Sequence, residues 1–281
     1  GFGDVLSQGV IQAADALGSA AQEQLQNWVY HRTGGPYPYE PRKFITTGLS
    51  FITEPRASMP QLHEVVFPTH LWWDWCNKIE GAYVSDDVIR SLSRKFFGGE
   101  DALDFSTYEG KALAAKHIQD RVYVKECLNL CDFAWPMMDV KHSQDHVGDR
   151  TLPSKVFSAV TGKDMGVEEL DKIGERVFNL QRALLIREGH EGRKDDILPE
   201  FDHTVPLPKA PGLNPKSSLP GKKGEIVYRE GAVVDRKKFE KMKDEYYQLR
   251  GWDLTTGLQK KETLQNLGLE DIIEQLQGKV S

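Results

Sequence analysis

Apolar positions along this chain recur mainly at helical spacing, three and four residues apart, and two-residue alternation is sparse. The strongest run covers 167–187, where Ile173, Val177, Leu180 and Leu184 stand at near-heptad steps among acidic and basic residues, which predicts a core helix. Residues 234–252 repeat the pattern, with Phe239, Met242, Tyr246 and Leu249 on one face and Gly251 just beyond the end. A further helix is predicted over 85–97, stopping at Gly98-Gly99, and a short one over 269–277. Residues 1–18 place Val5, Leu6, Val10, Ala13, Ala14 and Leu17 on one side, which reads as a packed surface helix ending at Gly18. Strand-like alternation is limited to 225–229, so the fold class is mainly α.

The stretch 108–136, YEGKALAAKHIQDRVYVKECLNLCDFAWP, joins a long helical run to two cysteines. Ser106 stands three residues before Glu109, the spacing of a capping box, and predicts that the helix starts there. Leu113, His117 or Ile118, Val122 and Tyr123 form its apolar side, so Cys127 and Cys131 are expected at a buried or half-buried helix end, before Pro136. This is the place in the chain where metal chemistry is expected.

Turn-rich segments separate the helices. Residues 31–42, HRTGGPYPYEPR, read as a loop with fixed turns, and 203–224, with Pro206, Pro208, Pro211, Pro215 and Pro220, as an extended, poorly packed crossing. A turn at Glu54-Pro55-Arg56 leads to an apolar run holding His63, which reads either as a core histidine or as an acid or donor to substrate. Trp72, Trp73 and Trp75 around Asp74 read as core, or as one wall of a pocket for a flat substrate. His142, Asp145, His146 and Asp149 have the chemistry of metal ligands, but Gly148 and the lack of apolar neighbours favour a solvated loop.

Composition narrows the function classes. With 281 residues the chain is long enough for one large domain or two smaller ones. A net charge of -6 gives no basic footprint for nucleic acid. No apolar run has the length of a membrane span and no basic-then-apolar leader stands at Gly1, so a cytoplasmic location is expected. Three cysteines, Cys76, Cys127 and Cys131, argue against a disulfide framework and for thiols or metal ligands.

Four collinear stretches resemble the tungsten-dependent aldehyde:ferredoxin oxidoreductase family. GFGDVLSQGVIQAADALG is similar to the segment after that family's first three cluster cysteines, and PYPYEPR to its Ala-Tyr-Asp-Pro-Arg loop. YEGKALAAKHIQDRVYVKECLNLC resembles the helix leading to its fourth cluster cysteine. IGERVFNLQRALLIREGHEGRKDDILPE and DEYYQLRGWD resemble its C-terminal signature. The resemblance implies the two helical domains of such an enzyme, with the N-terminal β domain absent from this chain. Residues 1–105 would belong to the first, with its Pro/Gly loops, and 106–281 to the second, with the cluster cysteine and C-terminal helices.

The cofactors so implied are a tungsten (or molybdenum) bis-pterin and a [4Fe-4S] cluster. Cys131 matches the fourth cluster ligand, whereas Cys127 stands where the family has none. The family's pterin-contacting Asp-x-x-Gly-Leu-Cys is here Glu126-Cys127-Leu128-Asn129-Leu130-Cys131, with Glu126 in place of aspartate and Asn129 in place of glycine. Glu126, Asn129, Leu130 and Cys131 are thus the implied cofactor contacts, with Asn129 adding a side chain where backbone normally comes close. EPRASMPQLHE resembles the segment whose histidine sits near the metal, which makes His63 the implied catalytic residue.

The activity implied is oxidation of an aldehyde to a carboxylate, with ferredoxin or an iron-sulfur subunit as electron acceptor, in an oligomer. Two alternatives stand beside it. One is reduction of an aromatic acyl-CoA, as in the family's benzoyl-CoA reductase branch, and the other is a non-catalytic helical subunit or fragment.

Overall fold

The computed structural model describes residues 1–28, 39–54, 59–131, 133–135, 137–210, 212, 214–276 and 278–281, and the side chains of 26–28 and 59–63 lie outside that description. Among the described residues the chain forms α1 (Phe2–Leu6), α2 (Val10–Leu17), α3 (Ser19–Trp28), α4 (Ile45–Thr53), α5 (Met59–Cys76), α6 (Asp86–Phe97) and α7 (Lys111–Cys127). There follow α8 (Leu152–Thr161), α9 (Val167–Arg187), α10 (Glu200–Thr204), α11 (Arg236–Arg250), α12 (Lys261–Asn266) and α13 (Glu270–Gln275). A short antiparallel ribbon, β1 (Ser218–Pro220) with β2 (Ile226–Tyr228), sets Leu219 opposite Val227. The mainly α expectation holds, and α9 has the bounds its apolar period predicts.

Helix ends follow local chemistry. The Ser85 hydroxyl accepts the Val88 N–H at 3.3 Å to open α6, and the Asp235 carboxylate accepts the Lys238 N–H at 3.0 Å to open α11. Gly98 and Gly251 close the same helices in the left-handed region, at φ 87° and 66°. The helix predicted over 1–18 is two helices, broken at Gly9 (φ 98°). Its expected packed side is largely open: Ala13 and Ala14 are buried, whereas Phe2, Leu6, Val10 and Leu17 are exposed.

Helix α7 does not start at a capping box. Asp104 Oδ1 accepts both the Ser106 N–H at 2.9 Å and its hydroxyl at 2.6 Å, so the serine closes a local turn instead. The helix begins at Lys111 after Gly110 (φ 73°). Nor is it one-sided: α4, α5, α6, α9 and α11 all pack on it. Ile118 and Val122 join an apolar cluster with Phe44, Trp72, Leu92 and Phe96, while Ala112, Ala115 and Tyr123 join a second with Phe178, Tyr246 and Trp252. The ribbon belongs to the first cluster through Leu219, so the end of the proline-rich crossing is packed core.

A helix surrounded in this way must pair its polar side chains, because an unpaired charge cannot be held away from water cheaply. The Asp120 carboxylate accepts Arg250 Nη1 at 2.5 Å and Lys116 Nζ at 2.9 Å, and Lys116 also reaches Glu175 at 2.9 Å. The Lys111 ammonium donates to the carbonyls of Asp101, Asp104 and Glu109, at 2.5, 2.6 and 3.2 Å, and burial pulls its pKa down to about 7. Alongside, Arg182 on α9 makes a two-point bond with Asp196, at 2.9 and 2.6 Å, to which the Tyr247 hydroxyl adds a donor at 2.5 Å.

The α7–α9 crossing depends on one glycine. A Cβ at Gly174 would stand 2.0 Å from the Asp120 carbonyl oxygen, which is backbone and cannot swing aside. Gly174→Ala should therefore cost about 1–3 kcal/mol or more, as overpacking does, read as a lower urea midpoint with an unchanged slope. A second expectation concerns acid. Burial, with the nearby Arg121 cation, pushes the His117 pKa down to about 4. Below pH 6.5 the unfolded chain takes up a proton that folded His117 refuses, so this contribution to stability is full above pH 6.5 and is lost as pH falls toward 4. His117→Gln should flatten the fall in stability between pH 6.5 and 5 in urea titrations.

Candidate cofactor-binding site

Helix α7 ends in a Schellman turn that fixes the cysteine loop. Leu128 is the C-cap, Asn129 follows at φ 55°, and the N–H groups of Asn129 and Leu130 reach back to the carbonyls of Glu126 (3.2 Å) and Lys125 (2.8 Å). Asparagine is the side-chain-bearing residue best suited to this left-handed region. The residue standing in place of the family's glycine thus keeps the backbone path a glycine would give. Beyond it the Cys131 carbonyl accepts the N–H groups of Ala134 and Trp135, at 3.1 and 3.0 Å, so the loop doubles back over its own cysteine.

The implied cofactor residues lie in and just after the last turn of α7: Glu126, Asn129 and Cys131 are exposed and Leu130 is half-buried. The expectation of buried or half-buried cysteines fails for both Cys127 and Cys131, which are exposed. Lys125 is the last buried residue of α7, and Glu126 and Cys127 after it are exposed. Partial burial, with Glu126 nearby, pushes the Cys127 thiol up. Phe133 packs tilted on Phe67 with ring centroids 5.9 Å apart, and Phe133 and Met137 are both exposed apolar residues.

His63 lies in α5, but its side chain is among those outside the description, so the structure gives its role no contact. The next residue is informative. Glu64 is 3% exposed and accepts Arg121 Nε and Nη2 at 3.0 and 2.6 Å, and Lys125 Nζ at 3.2 Å, tying α5 to the end of α7. Burial opposes charge on Glu64, but Arg121 and Lys125 outweigh it and hold its carboxyl below the ordinary range. Lys125 Nζ also donates to the Trp135 carbonyl at 3.2 Å. Pro68, inside α5, offers no N–H to the Glu64 carbonyl four residues before it, so side-chain bonds hold the helix where its own ladder is interrupted. Arg121 and Lys125 are four apart and therefore share one face, the signal by which the sequence could have shown them facing a common carboxylate.

The other candidates separate from this turn. Trp72 is fully buried and its indole N–H donates to Asp86 at 2.7 Å, whereas Trp73 is half-buried and Trp75 exposed. Asp149 takes the Thr151 N–H and hydroxyl, and His146 packs on Tyr83. Among the described residues no group of three or more His, Cys, Asp or Glu side chains is arranged to hold a metal. A cleft of about 680 Å³ opens midway along α7, lined by residues that include Lys116, His117, Glu175 and Thr263, away from the cysteine loop. The donor types at this turn are the exposed Cys131 thiol and the exposed Glu126 side chain. A thiol beside a carboxylate is the donor chemistry that one corner of an iron-sulfur cluster and a pterin edge would use.

The mainly α fold with a cysteine turn at the end of its central helix has close counterparts. The family model described as "Aldehyde ferredoxin oxidoreductase, domains 2 & 3" matches residues 1–269. The chain belongs to the aldehyde ferredoxin oxidoreductase family and spans those two domains. It is 23% identical over 273 residues to the tungsten-containing aldehyde ferredoxin oxidoreductase of Pyrococcus horikoshii, covering 97% of this chain and 35% of that protein. The Pyrococcus furiosus enzyme of the same name is 24% identical over 275 residues, covering 96% and 35%. The chain thus spans about a third of the length of these relatives. Among solved structures, the active site complex BamBC of benzoyl coenzyme A reductase with 1,5 dienoyl-CoA shares the fold, with a TM-score of 0.56 at 19% identity, over 98% of this chain and 37% of that one. Among the described residues no helix is long and apolar enough to cross a membrane.

The left-handed turn makes its own prediction. Asn129→Gly should leave stability unchanged or slightly raised, whereas Asn129→Val should cost about 1–2 kcal/mol, the penalty of an unsuitable residue in that region; thermal unfolding of the two variants side by side measures the difference.

Proposed function

We propose that this chain supplies the helical part of a tungsten (or molybdenum) bis-pterin oxidoreductase that oxidises an aldehyde to a carboxylate and passes the electrons through a [4Fe-4S] cluster to ferredoxin or an iron-sulfur subunit. The observation that carries the reading is the Schellman turn between Glu126 and Cys131, two exposed residues, within a chain of this family. When bound, the metal and its pterins supply the two-electron chemistry and the cluster a one-electron path. The chain's own residues bind and orient. Cys131 would hold one iron through its thiolate, Glu126 would accept pterin N–H groups, and Asn129 and Leu130 would present backbone along the pterin edge. His63 would donate a hydrogen bond or proton to the substrate oxygen. An oligomeric, cytoplasmic enzyme is part of the same reading.

A second reading, reduction of an aromatic acyl-CoA, draws support from the fold shared with the benzoyl coenzyme A reductase complex and from the Phe67–Phe133 pair just after Cys131, aromatic surface that suits a flat ring. The Trp72 side chain, being core, lends it nothing.

Anaerobically purified full-length protein should contain tungsten or molybdenum with iron and should reduce viologen dyes when given aldehydes. Active protein free of both metals would overturn the proposal, and turnover of aryl-CoA esters with a low-potential donor, without aldehyde oxidation, would select the second reading. Cys131→Ser should abolish the cluster's EPR signal, whereas Glu126→Ala should keep iron and lower turnover about 10–100-fold, the usual effect of removing a group that orients a cofactor.

A further inference from the structure

Opposite charges sit sealed directly beneath the Cys131 loop. Glu64 and Lys125 are each 3% exposed, and their bond at 3.2 Å is shared with the two-point bond from Arg121 to the same carboxylate. From Lys125 Nζ one hydrogen bond leads to the Trp135 carbonyl, and the Trp135 N–H bonds the Cys131 carbonyl. The ammonium therefore bridges the α5 carboxylate and the loop whose thiol would ligate iron. Charges held away from water are weakly screened, so each acts on a nearby redox centre far more than a surface charge would. A cation there favours the reduced, more negative form of a cluster, and an anion disfavours it.

We propose that Lys125 and Glu64 are opposed tuning and positioning residues for the cluster ligated through Cys131, Lys125 raising its reduction potential and Glu64 lowering it while their bond seats the loop. This rests on the functional reading above and assigns it two residues that touch neither substrate nor iron. Arg121 gives the pair a fixed anchor, because its third donor, Nη1, is committed to the Phe96 carbonyl at 2.7 Å.

The test is an EPR-monitored redox titration of the full-length protein. Lys125→Met leaves Glu64 paired with Arg121 and should lower the cluster potential; Glu64→Gln should raise it. The double variant removes one charge of each sign and should return the potential toward that of the unmodified protein, and Lys125→Arg should stay near it throughout. A merely structural pair would instead show both single variants shifting the same way, with the double variant displaced further, and that result overturns the inference, as does a potential none of the variants moves. Unmodified protein that holds no iron overturns the functional reading as well, so the two failures are distinguishable.

Discussion

A helix packed by five others yet carrying Lys111, Asp120, Arg121 and Lys125 as buried residues obliges its neighbours to answer these charges, and that obligation organises this fold. Helix α11 answers Asp120 with Arg250, α5 answers Arg121 and Lys125 with Glu64, and the turn after α6 answers Lys111 with carbonyls. Removing one partner of such a pair is far more damaging than never having built it, because the survivor stays buried. The pairs therefore act as registration marks. Apolar contacts bring α4, α5, α6, α9 and α11 to the central helix, and the charges settle how far each slides along it.

The candidate site inherits its placement from this scheme. Its residues occupy the first turn beyond the enclosed region, where the ladder of α7 ends in a left-handed residue and the loop folds back over Cys131. The same ammonium that answers Glu64 also grips that loop. Core electrostatics and the cysteine loop are thus one continuous bonded unit, joined through Lys125.

Helical period revealed α6, α9 and α11 because their caps and apolar stripes agree: Ser85, Asp235 and the glycines at 98 and 251 all do what their types suggest. The period misled at α7, whose polar residues face protein rather than water, so its burial could not be read from a one-sided pattern. Ser106 misled for a related reason, since Asp104 captured both of its donors. The helix end near the cysteines was legible from the approach to Pro136, and the left-handed Asn129 gives physical content to a position the sequence showed only as a departure. Glu64, next to His63, was invisible as a site neighbour because its partners are 57 and 61 residues away.

The Schellman turn has a consequence for the order in which such an enzyme could be assembled. Among the described residues, its backbone bonds run from the N–H groups of Asn129, Leu130, Ala134 and Trp135 to the carbonyls of Glu126, Lys125 and Cys131, so they are made within the chain itself. A prosthetic group arriving at this turn would meet a thiol whose backbone is already set. Little ordering entropy would remain to be lost on insertion, and the affinity of the site would reside in the fold before any metal reached it.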